Sequence, residues 1–163
     1  MQKIFYDYQR NIVEKPDGAE VFWRPWAYGL LRNEKGEILL VMPHTNPMLE
    51  LPWWGIDTFE EFHESLEREF YEETGFAVET ITPLPIHIAQ NLFYVKKRDK
   101  FCHTLYFLYE CRLSWKDLSK KYWETHHEDT MAQVVWVHPK DITRKNCHAN
   151  SYKVLKEVLN LAE

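Results

Sequence analysis

The sequence has few cysteines, no long apolar run and no excess of positive charge, and each shortage excludes a class of protein. Its three cysteines, Cys102, Cys111 and Cys147, form no CxxC pair, so we expect neither a disulfide framework nor a structural zinc site. No run reaches the roughly eighteen apolar residues of a membrane helix, and the first ten residues lack the apolar core of a signal peptide. We therefore expect a cytoplasmic protein that does not enter the membrane.

The charge balance is acidic, with a formal net charge of −5 and a pI near 5.9. An extended nucleic-acid surface is therefore not expected, and an anionic ligand would need a cation between itself and the protein. Hydrophobic residues make up 45% of the 163 residues, which is enough for a substantial core. With no repeat or linker evident, we expect a single domain over residues 1–163.

The pattern of apolar residues and turn signals predicts an α/β protein. Residues 10–24 are typical of two short strands around a turn at 15–18, an extra N-terminal hairpin, and a second hairpin is expected around the turn at 33–36. One strong helix is predicted over residues 58–74, and Gly75 is placed to end it. Later strands are predicted at 86–95, 101–113 and 133–137, with a terminal helix at 151–161.

The central helix has an apolar face that contains a carboxylate. At about 100° per residue, the arc expected to face the sheet holds Phe59, Phe62, Leu66 and Phe70. Glu73 falls inside this arc, Glu69 lies beside it, and Glu72 lies beyond Glu69. A carboxylate on a buried face is costly unless something pairs with it.

The three glutamates also oppose the helix itself. Glu69 lies three and four residues from Glu72 and Glu73, and all three approach the negative C-terminal end of the helix, which costs a few tenths of a kcal/mol per interaction. A divalent cation would reverse the sign of these terms, and Mg²⁺ prefers oxygen ligands. The alternative is a solvated acidic face, in which Arg68 pairs with Glu72 and residues 58–61 form a capping box.

Residues 54–76 resemble the Nudix box, whose pattern is G-x5-E-x7-R-E-U-x-E-E-x-G-U, where U is an aliphatic or aromatic residue. Eight of the nine specified positions match over 23 residues: Glu60, Arg68, Glu69, Phe70, Glu72, Glu73, Gly75 and Phe76. The departure is Trp54, which replaces the leading glycine. The resemblance implies a Nudix fold from about Trp23 onward, with a mixed β-sheet sandwiched between helices (α/β/α).

The same resemblance implies a metal-dependent hydrolase that cleaves a diphosphate linkage in a nucleoside diphosphate derivative or a related small molecule. Glu69, Glu72 and Glu73 would coordinate Mg²⁺ or Mn²⁺, and Glu60 would add a further contact. Arg68 would orient the carboxylates. The general base is left open between Glu72, Glu73 and Glu128, the last of which lies in a polar loop.

The segment before the helix is the candidate substrate contact. We expect Trp53, Trp54 and Gly55 to line an altered pocket, with an indole ring stacking on a base. The alternative is that both tryptophans pack as core anchors.

Two other functions compete with hydrolysis. A non-catalytic Nudix-like module would sense a nucleotide or bind a protein, and an isomerase of prenyl diphosphates on this fold would use a catalytic cysteine, for which Cys102 and Cys111 are the candidates. The sequence leaves open which diphosphate is cleaved. The oligomeric state is also open, with a homodimer as one alternative.

Overall fold

The structure is a computed structural model that describes residues 4–7, 11–44, 47–56, 59, 61–115 and 133–161. Its elements run in the order β1 (Phe5–Tyr6), β2 (Ile12–Val13), β3 (Val21–Leu31), β4 (Ile38–Met42), β5 (Trp53–Gly55), α1 (Phe62–Thr74), β6 (Val78–Thr80), β7 (His87–Val95), β8 (Lys100–Leu113), β9 (Gln133–Val137) and α2 (Ala149–Leu159). None of the helices within these ranges is long and apolar enough to cross a membrane.

The long strand β8 is the centre of a mixed seven-stranded sheet. It pairs in parallel with β3 on one side and antiparallel with β7 on the other, and its C-terminal end also pairs with β6. Beyond β3 lies β5, while β1 and β2 extend the sheet past β7. Strands β4 and β9 form a separate antiparallel pair. The sheet therefore runs from the N-terminal hairpin at one edge to the segment before α1 at the other.

The two helices pack on opposite faces of this sheet because side chains alternate along its strands. On β3, Ala27 and Leu31 belong to the core cluster that contains Leu66 and Phe70 of α1. Tyr28 and Leu30 belong to the other cluster, together with Val154 and Leu155 of α2. The mixed sheet between helices confirms the predicted α/β/α architecture.

A hairpin is present at the N-terminus, but this N-terminal hairpin joins β1 and β2 and not two strands around the turn at 15–18, so the predicted pairing is wrong. Strand β2 pairs antiparallel with β1, with Tyr6 opposite Ile12, rather than with the strand that follows the turn at 15–18. Gly18 adopts the left-handed conformation that this turn requires. Pairing with β1 continues the main sheet, because Tyr6 also pairs with Phe93 of β7.

The turn at 33–36 also forms, and the strands that it joins then diverge into different sheets. Asn33 accepts the amide N–H of Gly36 at 2.9 Å, and its own N–H donates to Glu37. Beyond this turn a single bridge joins Arg32 and Ile38, after which β4 pairs with β9. The predicted hairpin is therefore limited to its turn.

Helix α1 begins later than predicted. Its N-cap is Glu61, which makes no side-chain capping bond, and residue 58 of the predicted capping box lies outside the described residues. Phe59 has a φ of 72° and a fully exposed side chain, so its predicted place in the buried arc is wrong. A positive φ at a bulky residue breaks the helical path. The predicted end is confirmed, since Gly75 caps the helix with a φ of 73°.

Candidate active site

The C-terminal half of α1 presents two acidic side chains to one arginine. Arg68 Nη1 lies 2.8 Å from Glu69 Oε1 and 3.3 Å from Glu72 Oε2. The i, i+4 pair between Arg68 and Glu72 was the expected alternative to a functional role, and it forms. All three side chains are at least three-quarters buried, with exposed fractions of 23% for Arg68, 25% for Glu69 and 17% for Glu72. Arg68 therefore holds two carboxylates together in a partly desolvated position.

Glu73 points toward the strand that precedes the helix. Its Oε2 atom accepts a hydrogen bond from the backbone N–H of Trp53 at 3.3 Å. The indole N–H of the same tryptophan donates to Glu50 Oε2 at 3.0 Å. Trp53 therefore contacts two carboxylates from different parts of the chain.

Glu50 is the acidic residue of this site that sequence reasoning missed. It is only 8% exposed, and its backbone forms a two-way bridge with Val41 at the end of β4. A usable signal was its position, because a glutamate between Leu49 and Leu51 in an apolar segment needs a buried partner. The bridge brings it close to Glu73, which lies more than twenty residues further along the chain.

The electrostatics of the site penalise the ionised form of Glu73. Burial raises the pKa of Glu73 to about 8, and the charges of Glu69, Glu50 and Glu72 act in the same direction. The Trp53 N–H opposes this shift by stabilising the carboxylate. Burial also raises the pKa of the Tyr28 hydroxyl, with Tyr106 and Glu50 adding to the effect. The surroundings of Glu73 therefore disfavour its ionised form.

The carboxylates of Glu69, Glu72 and Glu73 are chemically suited to bind a hard divalent cation, although these side chains are not gathered around one point. Glu72 Oε1 is buried and has no hydrogen-bond partner among the described residues. Carboxylate oxygens are the ligands that Mg²⁺ and Mn²⁺ prefer. Within the same residues, no three acidic, thiol or imidazole groups are close enough to hold a metal ion. Coordination by this set would therefore need other rotamers.

The three residues predicted to contact substrate have different surroundings. Trp53 is half-buried and stacks on Trp26, with ring centroids 4.3 Å apart and an interplanar angle of 5°. Trp54 is 3% exposed and packs edge-on against Phe70 of α1 at 6.4 Å. Because neighbouring strand residues point to opposite faces, the Trp53 ring lies on the other face of β5 from Trp54, where its indole N–H donates to Glu50. This packing favours the core-anchor interpretation of Trp54.

Gly55, the third of these residues, lies directly beneath an arginine. A Cβ atom added to Gly55 would overlap the guanidinium of Arg24 from β3. The absence of a side chain thus lets Arg24 lie across the backbone of β5. Arg24 is a cation beside the Trp26–Trp53 stack, and sequence reasoning did not identify it.

The two cysteines considered for an isomerase are buried in β8. Burial raises the pKa of Cys111 to about 12 and also raises that of Cys102. A thiol that stays protonated at neutral pH is a poor nucleophile. Neither cysteine is therefore suited to covalent or acid–base catalysis.

Two predicted site residues, Glu60 and Glu128, lie outside the described residues. Their roles as a metal contact and a candidate base stay predictions.

Comparisons with known proteins agree with this geometry. The NUDIX domain family model matches residues 23–158. A search of curated proteins finds no significant match. Among solved structures, a MutT protein from Methanosarcina mazei is similar at 22% identity and a TM-score of 0.55, covering 88% of this chain and 96% of that one.

Two further structures are similar at 15% identity. One is a MutT NUDIX hydrolase from Burkholderia pseudomallei, with a TM-score of 0.59 and coverage of 83% of this chain and 98% of that chain. The other is an ADP-ribose pyrophosphatase from Streptococcus suis, with a TM-score of 0.54 and coverage of 86% and 94%. At these identities the structures establish the fold, while the family model covers most of the chain. The chain therefore belongs to the NUDIX family, and its general activity is that of a Nudix hydrolase, the cleavage of a pyrophosphate linkage.

Proposed function

We propose that this protein is a divalent-metal-dependent hydrolase that cleaves the diphosphate linkage of a small nucleoside diphosphate derivative. The observation that carries the proposal is the environment of Glu73, a partly buried glutamate that accepts from the Trp53 N–H and whose pKa is raised to about 8 beside Glu69, Glu50 and Glu72. A structural role alone gives no reason to gather three acidic residues where they oppose the ionisation of a fourth. A site that binds a cation and an anionic substrate gives such a reason.

Glu69, Glu72 and Glu73 are the proposed ligands of Mg²⁺ or Mn²⁺, with Glu60 as a further contact. When bound, a divalent cation supplies charge neutralisation at the diphosphate and lowers the pKa of water. Arg68 restrains Glu69 and Glu72 through its two short contacts. Its role is to keep both side chains on one side of α1. Only a few changes of side-chain rotamer would then be needed for both to coordinate one metal ion.

The proton of the attacking water needs an acceptor. Glu73 is one candidate, because the Trp53 N–H holds its carboxylate close to the proposed ligands Glu69 and Glu72. Glu72 has an unpartnered buried oxygen that points to the same use. Glu128 is the third candidate, so the base is proposed from these three.

A nucleotide derivative is the proposed substrate class. Trp53 contacts Glu50 and Glu73, and its half-buried stack with Trp26 offers an aromatic surface next to them. Arg24 adds a cation over Gly55. Trp53, Trp54 and Gly55 are proposed as the substrate-side segment, with Trp54 acting through the position of its neighbours. The similar ADP-ribose pyrophosphatase makes ADP-ribose a sensible first compound to assay.

The experiment that tests this function is a hydrolysis panel of nucleoside triphosphates, ADP-ribose, nucleotide sugars and dinucleoside polyphosphates, assayed with Mg²⁺, Mn²⁺ or EDTA. We expect at least one compound to release a nucleoside monophosphate only when metal is present. Glu72→Gln should lower that rate by at least about a hundredfold, because a ligand charge is lost. Glu64→Gln, on the exposed first turn of α1, is the matched control and should keep the wild-type rate.

Turnover that persists in EDTA would contradict metal dependence. Nucleotide binding without turnover of any compound would favour the non-catalytic sensor.

A further inference from the structure

A cavity of about 430 Å³ lies between the N-terminal hairpin, β7 and α2, and none of its lining residues belongs to the acidic site. The N-terminal hairpin contributes Tyr6 and Asp7 to its wall, and β7 contributes Phe93. The opposite wall comes from α2 and the segment before it, including Arg144 and Lys153. Its volume is within the range of small-molecule sites.

The cavity is connected to the acidic site through aromatic rings. Phe93, which lines the cavity, packs edge-on against Trp26 with centroids 5.8 Å apart. Trp26 stacks on Trp53, whose backbone N–H donates to Glu73. Packed aromatic rings therefore run from the wall of the cavity to the residue that contacts Glu73.

The chemistry of the lining suits an anionic, planar group. Arg144, Lys153 and Lys156 supply three cations against the two carboxylates of Asp7 and Glu157, in a protein whose net charge is −5. Tyr6 supplies exposed aromatic surface, Phe93 and Tyr152 form buried parts of the wall, and Arg144 lies over the Tyr152 ring at 5.9 Å. Aromatic faces with cations near them are typical of sites for a base and its phosphate.

The amides of the lining add polar groups at fixed positions. Asn91 Nδ2 lies 2.9 Å from Asn150 Oδ1 and 3.2 Å from the Tyr106 hydroxyl. Both asparagines line the cavity. Amides held in place by hydrogen bonds can recognise the edge of a base rather than only its face.

The hairpin is held in a defined position by its own contacts. Phe5 is buried and packs edge-on against Phe101 at 5.1 Å, which anchors β1 on the opposite face of the sheet. The Asp7 carboxylate accepts hydrogen bonds from the backbone N–H and side-chain amide of Asn11, at 2.8 and 2.9 Å. Tyr6 has 42% of its surface exposed, so its ring is available to a ligand. The hairpin precedes the family match, which begins at residue 23.

We propose that the N-terminal hairpin is a substrate-specificity element of this chain. Tyr6 and Asp7 complete a cavity that binds the nucleoside monophosphate end of the substrate, where Tyr6 stacks on the base and Lys153 contacts the phosphate. This inference rests on the proposed function for its choice of ligand. It assigns a role to a segment outside the family domain.

The test is direct binding of nucleoside monophosphates in EDTA, measured by quenching of tryptophan fluorescence, with ribose 5-phosphate as the ligand that lacks a base. We expect at least one of AMP, GMP, CMP and UMP to bind more tightly than ribose 5-phosphate. Tyr6→Ala should raise its Kd about tenfold, the usual effect of losing one stacking contact. Tyr6→Phe should restore the wild-type Kd, and Lys153→Ala should weaken binding of both ligand types.

Tyr94→Ala is the matched control, because Tyr94 lies in the neighbouring strand position and packs with Phe101 on the opposite face. It should leave the Kd unchanged. Equal affinity for all nucleotides and ribose 5-phosphate, no nucleotide binding at all, or a wild-type Kd in Tyr6→Ala would overturn the inference.

Hydrolysis assays separate this inference from the proposed function. For the best substrate, Tyr6→Ala should raise KM about tenfold and leave kcat within about twofold, because Tyr6 lies on β1, and β7, β8 and β3 separate β1 from β5 in the sheet. Turnover with an unchanged KM would overturn the hairpin's role and leave the proposed hydrolase in place. Binding that depends on Tyr6, without turnover of any compound, would overturn the proposed hydrolase and leave the hairpin's role.

Discussion

Replacing Glu73 by glutamine is expected to abolish hydrolysis and, at the same time, to stabilise the metal-free protein above neutral pH. The loss of activity follows because Glu73 is both a proposed metal ligand and a candidate base. The gain in stability follows because burial and like charges raise the pKa of Glu73 to about 8 from an ordinary 4.5. Glutamine keeps the shape of the side chain and removes the charge.

The pH dependence of this effect has a definite sign. The folded-state pKa of Glu73 lies above its unfolded value, so the protonated carboxyl favours folding. That contribution is complete below about pH 4.5 and is lost as the pH rises toward 8 and beyond. The metal-free wild type should therefore lose about 2 to 4 kcal/mol of unfolding free energy between acid and alkaline pH through this group.

Urea unfolding in EDTA at pH 5.5 and pH 8 measures this difference. Glu73→Gln should be more stable than wild type at pH 8 and close to it at pH 5.5, whereas Glu64→Gln should follow wild type at both. Adding Mg²⁺ should stabilise the wild type at pH 8 more than the variant, because a cation bound only to the folded state shifts the equilibrium. An equal pH dependence in Glu73→Gln, or wild-type turnover by it, would count against this account.

Trp54→Ala is expected to lower the unfolding free energy by about 3 to 5 kcal/mol, the usual cost of truncating a large buried aromatic residue. Trp54 occupies the volume left by small residues on β3, where it pairs with Ala27. Gly29 leaves similar room, since a Cβ there would touch the Phe70 ring at 2.7 Å. Trp54 thus joins β5 to α1 where the family pattern has a glycine.

Trp53→Ala is the matched comparison, because Trp53 is on the opposite face and only half-buried. It should cost less stability and should raise KM, since it removes the stack on Trp26 and the bond to Glu50. Urea unfolding and steady-state kinetics of both variants measure these effects. A stable Trp54→Ala variant with a raised KM would contradict the core role and support a direct substrate contact.

Local patterns predicted α1 and its acidic residues well, because both depend on neighbours three and four positions away. The helical wheel placed Glu73 on the buried face, and its high pKa agrees with that placement. The C-terminal glycine cap also depends on one local dihedral. The prediction for Phe59 was wrong because the helix begins only after Glu61. A helical wheel does not describe a residue that lies outside the helix.

Long-range pairing set the features that local patterns missed. Strand β2 pairs with β1, which itself pairs with the edge of β7, and the turn at 15–18 does not decide the partner. Glu50 joins the site only through its bridge to Val41. Arg24 joins it because β5 lies beside β3 and Gly55 leaves room. None of these contacts leaves a periodic signal in the sequence.

The most direct measurement of the central claim is Mn²⁺ binding followed by electron paramagnetic resonance, because it reports on the acidic residues without a substrate. The account predicts saturable binding by the wild type, an affinity at least tenfold weaker in Glu72→Gln, and wild-type affinity in Glu64→Gln. Mn²⁺ binding by a Glu69→Gln, Glu72→Gln, Glu73→Gln triple variant with wild-type affinity would contradict it.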